Sequence, residues 1–363
     1  MNADFILAIG ELGKEKGIDP ELLFQAVEEA LVTAYKKNFG SNQNVRVDMN
    51  KVTGELHIYA QRHIVAEVGD DPNEISLEEA RKIDPRYEVD DIVETEVTPR
   101  NFGRIAAQNA KQVVVQRIRE AERGMVFEKF SSRENDIVTG IIQRMENKNV
   151  YIDLGKAEAI LTPNEQIPGE IYQYHDRMKT YIVEVKKTSK GPQIMVSRTH
   201  PGLLKRLFEL EVPEIHDGLV EIKSLAREPG MRSKISVYTK DENIDPVGAC
   251  VGHKGMRVQT IVNELRGEKI DIVKYSSEPD QYVANALSPA KVVSTEVLEE
   301  EKICRVIVPD YQLSLAIGKE GQNARLAAKL TGWKIDIKSE SQAAEEAEQG
   351  AQEVGVAYEA DED

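Results

Sequence analysis

Apolar positions along this chain switch between helical and strand spacing, and the switches mark its parts. Over residues 4–39 the spacing is helical: Leu22, Leu23, Ala26, Val27, Ala30, Leu31 and Ala34 recur at intervals of three and four behind an Asp19-Pro20 start. Proline suits that first position because it has no N–H to leave unpaired. A period of two takes over at Val45 and Val47 and again at Leu56 and Ile58, with Thr53-Gly54 between them as a hairpin turn. Residues 75–82 predict a short helix opened by Ser76 with Glu79 at the capping-box position, and 91–97 predict another strand. From 101 to 125 the period is helical again. Ala106, Ala110, Val114, Ile118 and Ala121 fall on one face, while Arg104, Lys111, Arg117, Arg119 and Arg123 lie mostly off it. At about 1.5 Å per residue this helix spans on the order of 35 Å, enough to join two domains.

Between 136 and 197 come five short alternating segments, with a bend at Gly140 and a loop holding Pro163, Pro168 and Gly169. Five such strands predict a small closed barrel. A helix over 201–210 follows, apolar at Leu203, Leu204, Leu207 and Phe208, and then two strands joined by Pro229-Gly230. The next stretch is copied. VGHKGMRVQTIVNELRGEKIDIVKY from Val251 and IGKEGQNARLAAKLTGWKIDIK from Ile317 share an apolar lead-in, Gly-x-x-Gly, a helical pattern, a glycine and a strand containing KIDI, with Gly252 and Gly318 66 positions apart. An internal repeat of this kind sets the fold. Gly10-Glu11-Leu12-Gly13 has the same spacing and none of the context.

The formal charge of −16 is a sum over unlike parts. Residues 1–99 carry 10 basic and 21 acidic side chains, residues 340–363 carry nine acidic and none basic, and the middle of the chain is left at +4. Phosphate binding responds to local charge, so an acidic chain with a basic centre is compatible with nucleic acid. No run of eighteen apolar residues occurs, and the first residues lack the basic and cleavage features of an export signal, so the expectation is a cytoplasmic protein with no membrane partner. Cys250 and Cys304 have no CxxC or histidine partner and read as structural thiols in a reducing compartment. No GxxxxGK[ST], HExxH or GxSxG motif is present, and the His175-Asp176 and His216-Asp217 pairs stand alone. The expectation is therefore no enzyme, no cofactor and no metal.

Glycine at each end of Gly252–Gly255 and Gly318–Gly321 lets the backbone adopt positive φ and come close to another chain. The helix N-terminus that follows offers N–H groups and the positive dipole end to a phosphate. The order helix, strand, strand, helix, loop, helix, strand resembles the type II KH module, whose loop clamps about four nucleotides of single-stranded RNA. On that resemblance His253, Lys254, Lys319 and Glu320 face the phosphates, with Arg257 and Arg325 one turn further on. Two abutting copies imply one rigid tandem with a groove for roughly eight nucleotides. The run YIDLGKAEAILTPNEQIPGE resembles the ribosomal S-one-type OB fold, which places Tyr151 on the strand face where bases stack, with Arg144, Lys148 and Arg198 as phosphate candidates.

The stretches AKQVVVQRIREAERGMVF (110–127), EVPEIHDGLVEIKSLAREPGMRSKISV (211–237), DPVGACVGHKGMRVQTIVNELRGEKIDIV (245–273) and LAIGKEGQNARLAAKLTGWKIDIK (315–338) resemble the NusA family of bacterial transcription factors over about residues 1–338. The resemblance implies a multidomain α+β chain. Residues 1–130 form an α/β N-terminal domain with a long linker helix, 131–200 a five-stranded OB barrel, and 201–276 and 277–340 two tandem type II KH domains; 341–363 is a disordered acidic tail. It also implies a monomer whose front domain docks on core RNA polymerase, with Arg104, Lys111 and Arg117 of the linker helix at that contact. The remaining domains would hold single-stranded nascent RNA, alongside other Nus-type factors, to modulate pausing, intrinsic termination and antitermination. Some members add acidic C-terminal repeats that mask the RNA surface; with only a short tail here, the expectation is an open tandem. A ribosome-associated or RNA-decay protein built from KH and OB modules is the alternative.

Overall fold

The computed structural model describes residues 3–39, 42–69 and 71–346, in two compact units, Met1–Glu128 with Ser189–Gly191 and Lys129–Thr188 with Pro192–Asp363. In the first unit, α1 (Ala3–Lys16) and α2 (Pro20–Phe39) are separated where Asp19 accepts the Glu21 N–H at 2.9 Å. Strands β1 (Asn44–Met49) and β2 (Leu56–Val65) form the expected antiparallel hairpin, with Val45, Val47 and Met49 buried on alternate positions. β3 (Glu74–Ser76) runs parallel to β2, and β4 (Ile92–Glu96) antiparallel to it. The short helix α3 starts at Leu77 and ends at Ile83, because Ile75 belongs to β3; Ser76 Oγ accepts the Glu79 N–H at 3.2 Å as the capping pattern requires. Helix α4 (Phe102–Ser131) has 30 residues and runs further than its pattern predicted. Phe102, Ala106, Ala110 and Val114, four residues apart, bury one stripe of it against Leu23, Val27 and Leu31 of α2 and Ile58 of β2.

The second unit opens with a closed barrel in the order β5-β6-β7-β9-β8, made of β5 (Ile137–Glu146), β6 (Asn149–Asp153), β7 (Glu158–Leu161), β8 (Arg177–Thr188) and β9 (Gly191–Ser197). Gly140 is required at the bend: a Cβ there would sit 2.4 Å from Ile152 Cγ2 and 2.7 Å from the Asp153 carbonyl.

The first repeat comprises α5 (Pro201–Glu211), α6 (Pro213–His216), β10 (Val220–Glu228), β11 (Arg232–Thr239), α7 (Pro246–Val251), α8 (Met256–Glu264) and β12 (Lys269–Lys274). The second comprises α9 (Pro279–Ala286), β13 (Ser294–Leu298), β14 (Ile303–Val308), α10 (Leu313–Ile317), α11 (Gln322–Thr331) and β15 (Lys334–Ser339). Both build a three-stranded sheet whose first pair is antiparallel and second pair parallel. Their cores run together: Ala226 of β10 and Val273 of β12 are buried among Val283, Val306 and Leu326 of the second repeat. Tyr282 hydroxyl donates to Ser236 Oγ at 2.8 Å, and Lys234 Nζ donates to the Ser288 carbonyl at 2.7 Å.

The disordered tail expected from residue 341 is corrected at its start. Residues 340–346 are helical, anchored by Ser341 Oγ donating to Asp310 at 2.9 Å and Gln342 N–H to Ser339 Oγ at 3.3 Å. The rest of that tail, 347–363, lies outside the described residues. Among the described residues no helix is long and apolar enough to cross a membrane.

Candidate nucleic-acid interface

The two Gly-x-x-Gly loops have the same backbone. Gly252, Lys254 and Gly255 take φ/ψ of 73/176°, 50/27° and 77/12°; Gly318, Glu320 and Gly321 take 77/170°, 53/29° and 73/13°. The first glycine of each lies where only glycine is at ease, and each loop also holds one non-glycine residue left-handed. In both, the second glycine's N–H donates to the first glycine's carbonyl at 3.1 Å, which presents the loop tip beside the N-terminus of α8 or α11. All four glycines are half-exposed; His253, Lys254, Lys319 and Glu320 are exposed. Among the described residues neither Lys254 nor Lys319 makes an ion pair, so both ammonium groups remain available to phosphate. The equivalent left-handed position is Lys254 in one loop and Glu320 in the other, so the free cation of the second loop sits one residue earlier, at Lys319.

Arg257 and Arg325 differ from their expected role. Arg257 Nη1 donates to the Ala249 carbonyl at 2.6 Å and to Glu214 at 2.9 Å. Its methylenes fill the space over Gly252, where a Cβ would lie 2.7 Å from Arg257 Cγ. This arginine braces the loop from behind. Its counterpart 66 positions on is Asn323, which the sequence reading passed over: it is buried, lies against Gly318, and its Nδ2 donates to the carbonyls of Ala316 and Leu287 at 2.9 and 3.0 Å. The matched offset from the first glycine was the signal that could have found it. Arg325 is half-exposed and engaged by Glu228, with its Nε 2.6 Å from Glu228 Oε1. Cys250, just before the first loop, is buried, and burial pushes its thiol up to about 12.

On the barrel, Tyr151 of β6 is half-buried, and its ring face is covered: the Arg144 guanidinium lies 4.1 Å from the ring centroid. Arg144 is held there by a two-pronged pair to Glu158 at 2.8 and 2.9 Å. A base reaching Tyr151 from that side has to displace Arg144. Lys148 is exposed at the turn between β5 and β6 with φ 65°. Arg198 is a correction. Its side chain is fully buried and donates to Glu170, to the Lys179 carbonyl at 2.9 Å and to the Glu264 carbonyl at 3.0 Å. It joins the barrel to the end of α8 and has no surface to offer a phosphate.

Of the linker-helix cations, Arg104 and Lys111 are seven residues apart on the exposed face of α4. Arg117 is turned away from them, on the side that carries Ala106 and Ala110, and pairs with Glu120 at 3.4 Å. The three do not form one patch.

Family comparison gives four matches in chain order: NusA N-terminal domain over 4–124, S1 RNA binding domain over 131–197, NusA-like first KH domain over 198–275 and NusA-like second KH domain over 279–345. The transcription termination/antitermination protein NusA of Halalkalibacterium halodurans is 65% identical over 345 residues, covering 95% of this chain and 90% of that protein. That of Bacillus subtilis is 64% identical, covering 95% and 93%. The chain belongs to the NusA family. A solved structure of the NusA N-terminal domain from B. subtilis is 55% identical over 34% of this chain and 99% of that one, at a TM-score of 0.31.

As a NusA-family member the chain is a transcription termination/antitermination factor carrying S1 and KH RNA-binding domains. The NusA-like second KH domain reaches residue 345, so all but the last of the helical residues after β15 fall within that domain. In both NusA-like KH domains the loop is fixed from behind by the side chain five residues after its first glycine, which leaves the tip lysine free.

Proposed function

We propose that the chain holds single-stranded nascent RNA along the two KH loops while its N-terminal unit docks on core RNA polymerase, so that pausing and the choice between termination and read-through respond to the held RNA. The observation that carries this reading is the pair of loops with one backbone conformation, each next to a helix N-terminus and each with an exposed, unpaired lysine. The positive dipole end of a helix together with a nearby cation suits a phosphate and makes no base-specific demand. The first 99 residues, at net −11, repel nucleic acid and suit a basic protein surface. Anchoring on the polymerase raises the local concentration of transcript to about the mM range, so modest intrinsic affinity suffices. The chain acts in the cytoplasm as a monomer and as a binding factor without catalysis, with other Nus-type factors joining the same complex.

Lys254→Asp combined with Lys319→Asp puts carboxylates where phosphates are to sit. RNA affinity, read by fluorescence anisotropy at low salt, is expected to fall at least about tenfold, while co-purification with core polymerase persists. Undiminished RNA binding in that variant removes the loops from the site.

A further inference from the structure

One carboxylate of the first repeat reaches the loop of the second. Glu228 ends β10; its Oε1 accepts from Arg325 Nε at 2.6 Å and its Oε2 from Gln322 Nε2 at 2.8 Å. Arg325 Nη1 in turn donates to the carbonyl of Glu320, inside the Gly318–Gly321 loop, at 3.2 Å. The Glu228 side chain is 18% exposed against 48% for Arg325, so the carboxylate is the sheltered partner and the guanidinium the bridge to the surface. The Arg325 hydrogen bond holds the Glu228 carboxyl below the usual carboxylate range.

We propose that Glu228 is a positioning residue for RNA binding: through Arg325 it sets the second Gly-x-x-Gly loop in register with the first, so that one strand engages both. The inference rests on the reading that the loops hold RNA. A carboxylate beside a phosphate site repels the ligand and takes an arginine out of direct phosphate contact, which by itself lowers affinity. What it supplies is a fixed geometry, and two sites held in register convert the second contact into an intramolecular one. Cohesion of the repeats is provided elsewhere, by Ala226 and Val273 in the second core, by Tyr282 on Ser236 and by Lys234 on the Ser288 carbonyl. Removing the Glu228 charge therefore leaves the tandem joined and the Asn323 brace in place, and loosens only the tie that Arg325 makes to the loop at the Glu320 carbonyl.

The test uses the full chain and two unstructured oligoadenylates, one of about 12 nucleotides that spans both loops and one of about four that fills a single loop. Glu228→Gln keeps the size and removes the charge. Affinity for the longer RNA is expected to fall about fivefold to tenfold while that for the shorter stays within about twofold. Arg325→Gln should reproduce this split, and the double variant should be no weaker than the worse single one. Equal or tighter binding of the longer RNA by Glu228→Gln, or additive losses in the double variant, overturns the proposal, because Arg325 is then a direct phosphate ligand that Glu228 only screens. Circular dichroism confirms folding. Should Glu228→Gln not fold, Gln322→Ala removes the other bond to Glu228 and is expected to give a smaller loss confined to the longer RNA; an unchanged ratio of the two affinities overturns the proposal. The Lys254→Asp, Lys319→Asp variant separates the two levels of failure. If it binds both RNAs normally the loop reading fails, whereas if it loses them and Glu228→Gln does not, only the positioning role fails.

Discussion

At the scale of single residues, the arginines carry the main lesson. Arg144, Arg198, Arg257 and Arg325 all lie in or beside RNA-binding modules, and each is held by a carboxylate, Glu158, Glu170, Glu214 and Glu228 in that order. The sequence makes them look equivalent because partner and arginine are separated by 14 to 97 positions, which no local pattern reports. Burial tells them apart. Arg198 and Glu170 are 0% and 2% exposed, so removing one charge leaves the other uncompensated in the interior. Arg198→Leu is therefore expected to cost roughly 3–5 kcal/mol, seen as a lower urea midpoint, with RNA affinity of the folded fraction unchanged. A selective loss of RNA binding with unaltered stability would return Arg198 to the interface. Lys254 and Lys319 at the loop tips are exposed and, among the described residues, outside any ion pair; this too came from the structure, since Lys319 has Glu320 beside it in the sequence and does not pair with it.

At the scale of the element, the loop between two helices is defined by its glycines, and they are not alike. Gly252 and Gly318 combine φ near 75° with ψ near 170°, and a Cβ at either would lie 2.7 Å from a neighbouring atom, Arg257 Cγ or Asn323 N. Gly255 and Gly321 are left-handed and open, with nothing within 4 Å. Alanine at the first position of either loop is expected to destabilise by about 2–3 kcal/mol, and at the second by about 1 kcal/mol, measured as shifts in chemical denaturation midpoint. Equal costs at the two positions would mean that the loop relaxes when a side chain is added. The glycine spacing was readable in the sequence; the asymmetry depends on what packs over each Cα. The helices and strands were readable for a related reason, since periods of 3.6 and two record which face is buried. Element ends were less so: α4 runs on to Ser131, past the point where its apolar stripe fades, and residues 340–346 form a helix despite their acidic composition because Asp310 and Ser339 anchor it.

At the scale of the whole molecule, a chain of formal charge −16 combines an acidic front, net −11 over residues 1–99, with a middle stretch at net +4 that carries the RNA-binding modules and an acidic end. On the proposed division of labour, removing residues 1–125 should leave RNA affinity within about twofold and abolish any effect on a hairpin pause in single-round transcription. Persistence of the pause effect in the shortened protein would refute that division. The sequence by itself determined the succession of elements, the duplication, and the presence and spacing of the loops, because periodicity, capping and glycine placement are local properties written residue by residue. Only the tertiary structure decided which cations are spent inside the protein and which remain for a ligand. It also decided that the second loop is braced from the first repeat, because a side chain's role depends on partners that folding brings from tens of residues away and on the burial that sets how strongly their charges interact.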